Sequence, residues 1–134
     1  MEAKKWVSKI KRDTKRAGTY KPYFDEVIKT LASILEERDM ATETWAKTGG
    51  KVIVGHTNKA GATNLEQHPA LRLVNDLNRD ALAYWRDLGL TPKGLKAINE
   101  QALQEQKADA LTAALADLGA GAVEDEDKEE GEII

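Results

Sequence analysis

The chain has 134 residues, 41% of them apolar and 32% charged, with a formal net charge of -3 and a mean hydropathy of -0.55. This length suits one small domain with tails and excludes a multidomain enzyme, and the composition excludes collagen-like and mucin-like chains. No run approaches the roughly 18 consecutive apolar residues of a membrane span, and residues 1–20 alternate Lys with apolar side chains, unlike a signal peptide, so an intracellular protein without a membrane partner is expected. With no cysteine, disulfides, cysteine nucleophiles and thiolate zinc sites are impossible, and two histidines remain as soft metal ligands.

The modest net charge hides a polarity along the chain. Residues 1–16 carry Lys4, Lys5, Lys9, Lys11, Arg12, Lys15 and Arg16 against Glu2 and Asp13, a local charge of +5. Residues 124–134 carry seven carboxylates against Lys128, a local charge of -6. The body between them is nearly balanced, so the two ends are the specialised parts.

In chain order, the first predicted element is a helix. At 100° per residue Ala3, Trp6, Val7, Ile10, Thr14 and Ala17 share one arc, and all seven basic residues lie on the opposite arc. Gly18 and Pro22 stop this helix and open a second. There Tyr23, Phe24, Val27, Ile28, Leu31, Ile34, Leu35, Arg38, Ala41 and Trp45 keep helical spacing over roughly 27 residues, about 40 Å. So long an apolar stripe predicts packing against a partner helix or another copy of the chain. Gly49 and Gly50 end it. The β-branched run Val52, Ile53 and Val54 predicts one short strand, and residues 55–68, rich in Gly, Asn and Thr, predict an ordered loop.

Pro69 starts a third helix, with Leu71, Val74, Leu77, Ala81, Tyr84, Trp85 and Leu88 on its apolar face, and Gly89 closes it. Thr91 and Pro92 read as N-cap and first residue of a fourth helix, making Leu88–Pro92 a tight joint. Along that helix the apolar face shifts from Leu95, Ile98 and Ala102 to Leu111, Ala114, Leu115 and Leu118. The second face is too short for a free-standing coiled coil, which predicts its use within an assembly. Order is expected to end at Gly119–Gly121, because the acidic remainder repels itself. The expected class is therefore all-α with one short β segment near Val52–Val54. Its divisions are a basic helix over 1–17, a helical oligomerisation core over 20–118 and a disordered acidic tail over 119–134.

Catalytic patterns are mostly missing. Gly55, Lys59 and Gly61 do not make a phosphate-binding loop, since Ala62 and Thr63 follow where Lys and Ser/Thr are needed. His56 and His68 lack ligand-spaced companions, so no metal or cofactor is expected. Asp76, Asp80 and Asp87 on one helix read as a solvated face, with a metal-dependent nuclease as the distant alternative. The three tryptophans lie on apolar stripes and read as packing residues. The basic helix is the remaining chemical signal. Several outward Lys and Arg side chains neutralise phosphates and release counterions, so Lys4, Lys5, Lys9, Lys11, Arg12, Lys15 and Arg16 are the candidate nucleic-acid contacts. The alternative is a helical structural or regulatory protein whose basic face is merely solvated.

The segments Tyr23–Ile28 (YFDEVI), Leu31–Asp39 (LASILEERD), Thr57–Asn64 (TNKAGATN), Pro69–Leu71 and above all Leu77–Leu95 (LNRDALAYWRDLGLTPKGL) resemble the small terminase subunit of tailed bacteriophages and prophages. The resemblance runs from Tyr20 to Glu100. It implies a non-enzymatic DNA-packaging component in the cytoplasm of the bacterial host. Such a component forms a homo-oligomeric ring of helical subunits, recognises the packaging site on double-stranded viral DNA and brings it to the large terminase subunit, which holds the ATPase and nuclease. On this reading Leu31, Trp45, Leu111 and Leu115 include subunit contacts, and the acidic tail, with Ile133 and Ile134, docks the large subunit or shields the basic head.

Overall fold

The computed structural model describes the backbone of residues 1–133 and the side chains of residues 1–119. In chain order it has α1 (Ala3–Ala17), a 3-10 turn (Pro22–Phe24), α2 (Asp25–Lys47), β1 (Ile53–Thr57), β2 (Thr63–Gln67), α3 (Pro69–Asp87) and α4 (Pro92–Ile133). Residues Met1–Lys96 form one compact unit and Ala97–Ile134 a second.

The first unit is organised around α2, which packs against both α1 and α3. Its stripe of Ile28, Leu31, Ala32 and Leu35 is fully buried, joined by Ile10 from α1, Ala81 from α3 and Leu88 just after it. The long apolar stripe of α2 is thus covered from both sides by helices of the same chain. Leu31, expected to include subunit contacts, is 0% exposed and lies in this core. The basic N-terminal helix α1 contributes Ile10 and Thr14 to the same core. After α1 the chain is tied across the unit by Thr19, whose hydroxyl donates to the Leu88 carbonyl at 2.7 Å.

Pro22 opens a 3-10 turn, and α2 itself runs for 23 residues, shorter than the periodicity predicts. Helix α3 begins at Pro69, as expected. Its first free amide, Ala70 N–H, donates to His68 Nδ1 at 3.1 Å, and His68 Nε2 lies 2.7 Å from Thr48 Oγ1. With Nδ1 accepting, Nε2 carries the proton and donates to Thr48, so His68 joins the end of α2 to the start of α3.

The strand-then-loop expectation for residues 51–68 is replaced by an antiparallel hairpin in which Val54 pairs with Glu66, His56 with Asn64 and Thr57 with Thr63. The polar residues that look like loop residues build its turn. Asn58 Oδ1 accepts from both Ala60 and Ala62 amides at 3.0 Å, and Gly61 takes φ 85°, which L side chains rarely adopt. Ile53 and Leu65 remain 60% and 78% exposed on the hairpin.

The Thr91–Pro92 start of α4 is as read from sequence, with the Thr91 hydroxyl accepting from the Gly94 amide at 3.1 Å. Gly94 is buried, and a Cβ there would run into the Arg86 carbonyl group. The first turn of α4 therefore lies directly on the last turn of α3. In the second unit Leu103, Leu111, Leu115 and Leu118 are 51–71% exposed. The α4 backbone stays helical through Gly119 and Gly121, where the glycines suggest an end. The readings made for the acidic side chains and for Ile133 and Ile134 lie outside the described residues.

Candidate nucleic-acid interface

Helix α1 is strongly two-faced because basic and apolar residues alternate at helical spacing. Its apolar side holds it to α2, so the basic side must face away from the core. Lys4, Lys5, Lys9, Arg12, Lys15 and Arg16 are exposed and Lys11 is half-buried. The structure thus brings all seven candidate residues onto one outer helix face. Ser8, Lys11, Arg12, Lys15 and Arg16 line an open concavity on that face, with the small serine between the cations.

The seven are not equivalent. Lys9 Nζ lies 2.7 Å from Asp13, and Lys11 Nζ lies 3.7 Å from Asp25 at the start of α2. Lys15 stands over the Tyr20 ring at 5.0 Å. The Tyr20 hydroxyl donates to the same Asp25 at 2.9 Å, and that bond, with burial and the carboxylate charge, pushes the Tyr20 hydroxyl pKa above its ordinary value. Lys4, Lys5, Arg12 and Arg16 make no ion pair among the described residues.

At its N-terminal end α1 is clamped by two carboxylates of α2. Glu36 accepts from the Ala3 amide at 2.6 Å, supplying the helix cap that the Glu2 side chain does not. Asp39 accepts from Trp6 Nε1 at 2.8 Å and from the Met1 amine at 3.0 Å, and Arg38 pairs with it while lying over the Trp6 ring at 5.5 Å. Sequence reasoning missed this clamp. The available signal was Asp39 on the apolar stripe of α2 and Glu36 at its edge, where an unpaired carboxylate is costly.

Burial raises the Asp39 pKa, but the hydrogen bonds from Trp6, the Met1 amine and Arg38 outweigh it and hold the carboxyl below its ordinary value of 3.8. A lowered folded-state pKa means stability that is present above the unfolded value and lost as pH falls through the folded one. Asp39→Asn is therefore expected to destabilise the protein by about 1–2 kcal/mol at neutral pH. The difference should shrink in chemical denaturation curves as pH falls past the ordinary value of 3.8, and vanish only once pH is below the lowered native value, where Asp39 protonates. An unchanged difference at low pH would assign the loss to packing.

The other candidates are dispersed. Trp45 is half-buried at the end of α2, with Nε1 donating to the Lys51 carbonyl at 2.9 Å, while Leu111 and Leu115 are 62% and 59% exposed on α4. Asp76 faces Arg79 at 3.8 Å, and Asp80 and Asp87 are exposed. Among the described residues no three His, Asp or Glu side chains converge as a metal site, and no helix is long and apolar enough to cross a membrane.

Helix α1 thus carries its cations on the face turned away from the small helical core. The family model described as phage terminase, small subunit, matches residues 3–106. The chain belongs to that family, whose members are generally non-catalytic, and membership implies a role in phage DNA packaging. No curated protein and no solved structure gives a significant match.

Proposed function

We propose that this chain is the small terminase subunit that binds the packaging site of double-stranded viral DNA and delivers it to the large terminase ATPase and nuclease. The observation that carries this reading is the α1 face, where Lys4, Lys5, Arg12 and Arg16 make no ion pair among the described residues, on a helix fixed to the core. A helix already held to the core needs no backbone ordering on binding, and each phosphate contact releases condensed counterions.

Assembly multiplies the effect. The exposed Leu111 and Leu115, with Trp45, support subunit contacts in a homo-oligomeric ring, and several basic faces engaging one DNA turn weak single sites into a strong composite one. Delivery to the large subunit rests on family membership.

The test is a salt titration of double-stranded DNA binding by fluorescence anisotropy, beside the solution mass from light scattering. The expected result is a mass several times 14.8 kDa and an affinity that falls linearly with salt on a log-log plot. Charge reversal by Arg12→Glu with Arg16→Glu should abolish retention. A chain that holds no DNA at low salt would instead be a helical structural protein.

A further inference from the structure

We propose that the phosphate contacts of α1 are made by Lys4, Lys5, Arg12 and Arg16, with a backbone phosphate of the DNA seated over Ser8 beside the two arginines, while Lys9 and Lys11 contribute none. This rests on the DNA-binding reading and divides six of the seven basic residues in two, Lys15, which stands over the Tyr20 ring at 5.0 Å, being assigned to neither group.

The division follows from what surrounds each charge. Binding by counterion release needs a cation whose field is not already cancelled. Lys9 has the Asp13 carboxylate 2.7 Å from its ammonium, and Lys11 has Asp25 at 3.7 Å. Exposed pairs such as these are weak and break readily. Breaking them still leaves a carboxylate within the Debye length of an arriving phosphate, so attraction to the lysine is offset by repulsion from its partner. Asp25 is further held in place by the Tyr20 hydroxyl at 2.9 Å. Lys11 is therefore part of the bracing between α1 and the start of α2.

Arg12 and Arg16 are one helical turn apart, exposed and without an ion pair among the described residues. They share a concavity with Ser8, Lys11 and Lys15. The Ser8 hydroxyl donates to the Lys4 carbonyl at 3.2 Å and so turns back on its own helix, leaving space between the surrounding cations. Guanidinium groups suit this position because their planar fork binds phosphate oxygens in pairs. Lys4 and Lys5 lie two to three turns earlier on the same face and continue the row toward the next phosphates.

Two double variants that remove the same charge separate the classes, measured with a double-stranded oligonucleotide across a salt series. R12Q/R16Q is expected to reduce the log-log salt slope by about 1.8, two contacts at about 0.9 each, and K9Q/K11Q to leave it unchanged. A gain-of-function variant guards against loss of fold. Asp13→Asn frees Lys9 and should steepen the slope by about 0.9. Equal losses from the two double variants, with no change in Asp13→Asn, would overturn the division and leave DNA binding through α1 standing. If no variant moves the slope, both this division and the α1 site fail.

Discussion

Leu31→Ala is expected to cost about 3–5 kcal/mol, the range for truncating a fully buried leucine whose surroundings relax only in part. Leu31 is 0% exposed in the α2 stripe, in one cluster with Ile28, Leu35, Ile10 of α1 and Ala81 of α3. The lost methyl groups leave a cavity where three helices meet, so all three loosen together. Thermal unfolding by circular dichroism should show the drop directly. The variant also separates two roles of one residue. A subunit contact would leave the isolated chain folded and reduce only the mass in solution, whereas a core residue lowers the melting temperature at every protein concentration. Leu111→Ser with Leu115→Ser is the complementary case, expected to change mass with little effect on the first unit.

Gly94→Ala is expected to destabilise the first unit by about 2 kcal/mol, although alanine is intrinsically the better helix residue by roughly 1 kcal/mol. The opposing term is steric. The new Cβ would overlap the Arg86 carbonyl oxygen and lie 2.8 Å from its carbon and 3.0 Å from its Cα, all backbone atoms at the end of α3. Backbone cannot swing aside as a flexible side chain does, so the first turn of α4 must lift off α3, straining the Thr91 cap that bonds the Gly94 amide. A melting temperature at or above that of the parent chain would show that helix propensity outweighs the overlap.

The basic face shows what periodicity can and cannot supply. Angular position alone separates the seven cations of α1 from Trp6, Ile10 and Thr14, and the structure keeps that separation. Their inequality is invisible in one helix, because Asp25 reaches Lys11 from the next element and Tyr20 reaches Lys15 from the connecting turn. The Glu36 and Asp39 clamp has the same origin, in bonds across more than thirty residues of sequence. The hairpin failed to register for another reason. Its strands hold Gly55, His56, Asn64 and Glu66, residues with little strand preference, and cross-strand pairing supplies what composition does not.

What the sequence by itself determined are the local features. The breaks at Gly18 and Gly89, the helix starts at Pro69 and at Thr91–Pro92, and the opposed basic and apolar arcs of α1 each depend on φ/ψ preferences or spacing within a few residues. The Leu77–Leu95 motif also resembles the terminase small subunits, the family that residues 3–106 match. Only the tertiary structure decided which element covers each apolar stripe. Periodicity tells that Leu31 must be buried but not against what, since a helix of the same chain and a helix of another copy offer the same apolar surface. In this chain α1 and α3 cover the α2 stripe, while Leu111 and Leu115 of α4 are 62% and 59% exposed.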